Sequence, residues 1–278
     1  MGAARKLDGN AASGRKPTLS PSRIRTYLEC AVKYRYIYHD KIGRYYLRAH
    51  SYNSFGSTLH NVLQNFYEQG AAQTPDQMVD ELTRQWVTAG YESVEQEQTH
   101  LAAGEQIVQA YHTAHQERIA AHAETLCTEK TITCDMGRFK LSGRVDRIDR
   151  YPDGRLEIID YKSGRWDISS DEVAEDLAMS CYQLILKRLY PEVPVVATIY
   201  CLRSGNQASA ELIGDPLEEF ARDLVSLGDQ ILDRDYADIL PVPVPSCPYC
   251  DFLPRCTRFW RAQERHAMAD GPMSEHGL

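Results

Sequence analysis

Apolar residues recur at helical spacing through the first third of the chain. Phe55, Leu59, Val62, Leu63, Phe66 and Tyr67 share one face at a 3.6-residue period, which predicts a helix over 55–67 that Gly70 can end. An earlier helix opens at Ser20-Pro21, a cap and first-turn pair, and carries Ile24, Tyr27, Leu28 and Cys30. Thr74, Pro75 and Gln77 form a capping-box start for a third helix through Met78, Leu82 and Trp86, which Gly90 can close. A fourth is expected over about 99–123. The period then shortens to two, predicting strands at 128–134, 139–151 and 155–162, the last two joined in a hairpin by Pro152-Asp153-Gly154. A helix at about 171–190, strands near 195–202 and 209–213, and a helix at about 216–232 follow. This order implies an α/β fold, a mixed sheet flanked by helices.

Residues 1–17 and 263–278 lack an apolar period and are expected to be flexible tails around one domain, 18–262. Pro241 to Pro245 reads as a stiff extended link. With 278 residues, 43% hydrophobic, the chain can bury a core without disulfides. Its 31 Lys and Arg against 39 Asp and Glu give a net charge of -8, which excludes coating a polyanion through overall charge and leaves only local patches or metal ions for that contact. No apolar run approaches the ~18 residues that cross a bilayer. Met1 to Lys16 also lacks the apolar stretch of a secretory signal. A cytoplasmic protein without membrane contact is expected, in which the eight cysteines are thiols or metal ligands.

The chemistry concentrates in Gly143-Arg144-Val145-Asp146-Arg147-Ile148-Asp149 and Ile158-Ile159-Asp160-Tyr161-Lys162-Ser163-Gly164, which meet across the hairpin. Strand alternation points Asp160 and Lys162 to one face and Ile159 and Tyr161 to the other. Antiparallel pairing can bring Asp146 beside Asp160, offering two hard oxygen ligands to Mg²⁺ or Mn²⁺. Such a site suits phosphodiester hydrolysis, with Lys162 orienting water or neutralising developing charge. The bland alternative is a solvated strand in which Asp146 and Asp149 pair with Arg144, Arg147 and Arg150.

The order of motifs resembles the RecB-like branch of the PD-(D/E)xK nuclease superfamily from about Leu19 to about Arg258. It rests on Gly56-Ser57-Thr58-Leu59-His60, the two hairpin motifs, and Tyr182-Gln183-Leu184. The resemblance implies a restriction-endonuclease-like core with His60, Asp146, Asp160 and the Tyr161 carbonyl as metal ligands and Lys162 as the catalytic lysine. It also implies that Gln183 approaches the active site or DNA, although Lys187 stands where relatives often carry tyrosine. AddB-like members of the branch hold a [4Fe-4S] cluster on one upstream and three C-terminal cysteines, which implies Cys30, Cys247, Cys250 and Cys256 as ligands here, closing the two ends of the domain together. The rival is zinc, which four thiolates can also enclose although structural zinc more often draws on two short Cys pairs, and the third reading is free thiols. Cys127, Cys134, Cys181 and Cys201 read as small core residues.

Between Ala31 and Tyr52, Lys33, Arg35, Lys41, Arg44 and Arg48 alternate with Tyr34, Tyr36, Tyr38, Tyr45, Tyr46 and Tyr52. Such interleaving suits a single-strand channel, although the tyrosines could equally pack inward. Arg5, Lys6, Arg15 and Lys16 could add phosphate contacts from the first tail. The function expected is a Mg/Mn-dependent DNA exonuclease acting on single-stranded or free-ended DNA in repair, recombination or CRISPR adaptation. The alternative is a non-catalytic iron–sulfur scaffold in a helicase–nuclease or integrase complex. No Gly-x-x-x-x-Gly-Lys loop occurs, so a partner would supply any motor; a helicase or integrase partner is expected.

Overall fold

The computed structural model describes residues 16–120, 123–164 and 167–269. Helix α1 (Pro21–Glu29) begins where Ser20 accepts the Arg23 N–H and Pro21 fills the first turn. Cys30 ends it and opens α2 (Ala31–Tyr34), which continues into a π-helical turn over Arg35–His39. Helix α3 (Ser51–Glu68) starts one turn before the apolar stripe that predicts it, and Gly70 follows it at φ 73°. Helix α4 (Pro75–Arg84) carries both halves of the Thr74–Gln77 capping box but stops short of Trp86. Helix α5 (Val94–Ala120) completes this layer.

The sheet contains β1 (Thr18–Leu19), β2 (Glu124–Asp135), β3 (Lys140–Arg150), β4 (Leu156–Lys162), β5 (Val195–Cys201) and β6 (Gln207–Ala210), in the order β1-β3-β4-β5-β6 with β2 also paired to β3. Strand β3 is antiparallel to β2 and β4, whereas β4 and β5 are parallel, so the sheet is mixed as expected. Because β2 follows β3 along one edge, β1 and β4 share the other, at Lys140–Leu141 and Arg147–Arg150. The stretch 142–146 between them is bordered by neither. The β4–β5 crossover is α6 (Ser170–Glu175) and α7 (Leu177–Leu189), where one helix is predicted. Asp176 breaks it by going extended and accepting the Ala178 and Met179 N–H groups, a local cap that outcompetes helix continuation. Helix α8 (Asp215–Asp233) and helix α9 (Leu253–Ala269) follow.

Helix α9 runs past the expected domain end at residue 262. Arg5, Lys6 and Arg15 of the first tail, and residues 270–278, lie outside the described residues. Lys16 pairs with Asp135. Among the described residues no helix is long and apolar enough to cross a membrane.

Strand alternation divides the core. Ile158, Ala197 and Ile199 face α1, α7 and α8, while Ile159, Tyr161 and Tyr200 face α3, α4 and α5. A third, smaller cluster joins Val32 and Tyr36 to Phe252, with Cys30, Cys250 and Cys256 against it. Cys134, Cys181 and Cys201 are buried and Cys127 is half-buried.

Candidate active site

The β3–β4 ladder ends at Arg147–Ile159, and in the same register Asp146 and Asp160 stand opposite one step further on. There the strands part, and Asp146 Oδ2 accepts the Tyr161 N–H at 2.7 Å in place of a ladder bond. On the other edge of β3, the pairs Thr128–Arg147 and Lys130–Val145 put Glu129 opposite Asp146. Glu129 has φ 45°, a left-handed conformation that non-glycine residues rarely adopt and that is here located at the site.

His60 descends on this point from α3. Its Nε2 is 3.1 Å from the Tyr161 carbonyl oxygen, and its Nδ1 is 3.3 Å from Glu129 Oε1 and 3.4 Å from Asp146 Oδ1. With acceptors at both nitrogens the ring is set up to carry two protons. Burial opposes that charge, but the hydrogen bonds to Asp146 and Glu129 outweigh it and lift His60 to about 10. Arg144 Nε meets Glu129 Oε2 at 2.6 Å from the solvent side. Lys162 Nζ lies 2.5 Å from Asp160 Oδ2. Burial pushes Asp160 up to about 6 despite the attraction of Lys162, and Asp146 adds to the rise. Lys162 is raised too, since Asp160 overcomes the cost of its burial. Three carboxylates, Glu129, Asp146 and Asp160, thus gather against Arg144, His60 and Lys162, and their oxygens beside an imidazole are a donor set suited to a hard divalent ion.

His60, Glu129, Arg144 and Lys162 open onto a cleft of about 510 Å³ also lined by Gly56 and Tyr52. A Cβ on Gly56 would come 3.0 Å from Ser163 Oγ, so glycine lets α3 approach the end of β4. Beneath the cleft the Tyr161 hydroxyl bonds Tyr111 at 2.7 Å, and Tyr111 accepts from Arg147 at 2.8 Å. Arg147 is fully buried, 3.0 Å from Asp149 and 4.1 Å above the Tyr67 ring, so this part of β3 is not the solvated salt-bridged strand of the bland alternative.

Among residues singled out from the sequence, His60, Asp146, Asp160, Tyr161 and Lys162 come together here. Gln183 does not share their contacts: it is buried in α7, and its Oε1 accepts the Leu212 N–H at 2.8 Å. Lys187 donates to the Val193 carbonyl, closing the α7–β5 loop. Tyr182 packs on β3, where a Cβ at Gly143 would lie 2.3 Å from its ring. Glu129 was not singled out from the sequence. Its one signal is its register against Asp146, which requires knowing how β2 pairs.

The four cysteines at the ends of the domain also converge. Cys30, Cys247, Cys250 and Cys256 line a cavity of about 160 Å³ whose other walls include Val32, Phe252 and Trp260. Burial, and then the neighbouring Cys250, Cys30 and Cys247, push the Cys256 thiol up to about 11. Of the tyrosines of the 31–52 segment, Tyr34 and Tyr36 are buried in the core, whereas Tyr45 and Tyr52, the latter in the first turn of α3, are exposed.

The mixed sheet between helical layers, with acids at the open end of a hairpin, defines a restriction-endonuclease-like α/β core. The sequence model of the PD-(D/E)XK nuclease superfamily matches residues 18–257, and the chain belongs to that superfamily, whose members use divalent metals. No curated protein matches it. A solved structure from Eubacterium rectale, named "Putative exonuclease", is similar over 89% of this chain and 98% of its own, with TM-score 0.50 and 13% identity, a likeness of fold alone. The structure named SSO0001 covers 88% of each chain at 13% identity and TM-score 0.34, at which the likeness decides nothing.

Proposed function

We propose that the chain is a Mg²⁺- or Mn²⁺-dependent deoxyribonuclease of the RecB-like branch that degrades DNA from single-stranded or free ends. The observation that carries this reading is the convergence of an imidazole, carboxylates and a backbone carbonyl beside a half-buried lysine, where β3 and β4 part. The name of the Eubacterium rectale neighbour supports the exonuclease class.

His60, Asp146, Asp160 and the Tyr161 carbonyl would hold the ion. When bound, such an ion polarises the phosphate and lowers the pKa of water. Lys162, steadied by Asp160, is placed to neutralise charge on the phosphate or to orient the attacking water. Glu129 fixes the His60 ring from its second nitrogen, and Arg144 holds Glu129. Gln183 contributes by tying α7 to the segment after β6. A cytoplasmic helicase or integrase partner, in repair, recombination or CRISPR adaptation, would present the free strand.

We also propose a structural [4Fe-4S] cluster on Cys30, Cys247, Cys250 and Cys256. The four cysteines line one cavity, which supports a shared ligand, and structural zinc more often draws on two short Cys pairs than on the single short pair Cys247–Cys250 found here.

Linear, end-labelled single-stranded DNA is expected to be degraded with Mn²⁺ or Mg²⁺, and a circle of the same sequence to survive. Cutting of circles would remove the end requirement, and binding of DNA with no cleavage of either would end the nuclease reading. Metal binding is expected to release a proton at neutral pH, because His60 stays protonated up to about 10 and must give up a proton to ligate. Apparent Mn²⁺ affinity should then rise by up to about tenfold per pH unit between 7 and 9. Calorimetry in two buffers of different ionisation enthalpy checks this, and a pH-independent affinity would exclude His60 as a ligand.

A further inference from the structure

We propose that Tyr52, backed by His50, is a stacking platform for one base of a single-stranded substrate entering the catalytic cleft. This rests on the nuclease reading and specifies how that site recognises its strand. Tyr52 lines the same cleft as His60 and Lys162, yet its side chain is 64% exposed. It lies two turns before His60 on the same helix, about 12 Å along the axis, a distance at which a strand with its phosphate at the metal site can lay a neighbouring base on the ring.

The ring is held in place before any strand arrives. Tyr52 and His50 stack with centroids 5.1 Å apart and planes 16° from parallel. His50 Nε2 is 3.5 Å from Asp251 Oδ2, and the same carboxylate oxygen accepts the Arg48 N–H at 3.2 Å. A Cβ on Gly90 would come 2.7 Å from the His50 backbone, so that loop packs directly behind the platform. Tyr45, the other exposed tyrosine of the 31–52 segment, differs in that the Arg44 guanidinium lies 4.6 Å over its face. An aromatic face at the rim of a cleft that also contains Arg144 and Lys162 pairs a base-sized flat surface with cations for the backbone. Every base has a π-face, so such a platform selects unpaired strands without selecting sequence. Asp251 directly follows Cys250, so the cysteine-bearing segment braces the platform as well as the chain ends.

The test walks a single abasic residue through the first positions of a linear single strand and compares wild type with Tyr52→Ala and Tyr52→Phe. In wild type, removing the base at one position should raise KM by about 5- to 150-fold, the range of one stacked base, with kcat little changed. Tyr52→Ala should show that rise on the intact strand and no further rise on the abasic one, while Tyr52→Phe should match wild type. A KM for Tyr52→Ala within twofold of wild type, or an abasic effect that persists in it, would overturn the platform. A second arm reads binding without cleavage, using 2-aminopurine at the sensitive position with Ca²⁺: quenching in wild type that is lost in Tyr52→Ala supports the platform. Cleavage with no Tyr52-dependent quenching rejects the platform alone, whereas Tyr52-dependent quenching with no cleavage in Mn²⁺ rejects the nuclease reading and leaves the platform standing.

Discussion

An Asp160→Asn variant is expected to degrade DNA at least about 100- to 1000-fold more slowly than wild type, the scale of losing one group that organises charge in a water-poor site. Asparagine keeps the shape and removes the charge. The proposed ion then loses a ligand, and Lys162 loses the partner 2.5 Å away that keeps its half-buried ammonium charged. Stability should change little. Burial raises Asp160 to about 6 from an ordinary 3.8, so above that pH its ionised form burdens the folded state, and the burden disappears only as pH falls below the ordinary value. Asparagine relieves that burden but leaves the Lys162 ammonium without the partner that holds it charged, so at pH 7.5 the metal-free variant is expected to melt close to wild type. Initial rates with thermal melts decide it: a rate within tenfold of wild type would remove Asp160 from the chemistry, and a collapsed melting transition would make its role architectural.

Cys250→Ser is expected to have the opposite profile. Anaerobically purified wild type should be brown, with broad visible absorption and about four irons per chain for the proposed cluster. The variant should be colourless. Its Tm should drop by about 5–15 °C, since several kcal/mol of ligation are lost and each shifts a chain of this size by about 2–4 °C. Asp160→Asn should keep its colour, so the two variants separate chemistry from scaffolding. Colourless wild type with one zinc per chain would overturn the cluster, and a Cys250→Ser protein as stable as wild type would show that the thiols hold nothing.

The sequence is most informative where short-range physics decides the outcome. The Thr74 capping box, the Ser20–Pro21 start and the 152–154 turn each involve groups a few residues apart, and each forms as its chemistry dictates. Asp160, Tyr161 and Lys162 are readable because strand alternation alone assigns their faces. Asp146 is readable only in part: its position opposite Asp160 follows from the hairpin, but its bond to the Tyr161 N–H requires the strands to part. Glu129 escapes altogether, since it depends on pairing between β2 and β3 and on a left-handed backbone that no residue type there announces. The break at Asp176 escapes because a capping side chain and an exposed helical one look alike in a periodic pattern. The tyrosines of the 31–52 segment share one composition and meet different fates, Tyr34 against Tyr236 in the core and Tyr52 at the cleft, because composition does not encode direction.

The small cluster of Val32, Tyr36 and Phe252 also sets a timetable. Its halves are separated by more than 200 residues, so at roughly 5–20 residues per second the first half leaves the ribosome about 10 to 40 s before the second exists. For that interval Val32 and Tyr36 have only their own neighbours Ile37, Ile42 and Tyr46 to pack against. Whatever fills the cysteine cavity must arrive after Cys256 is made, and a cell that stalls or trims synthesis before Phe252 leaves the Val32–Tyr36 face uncovered.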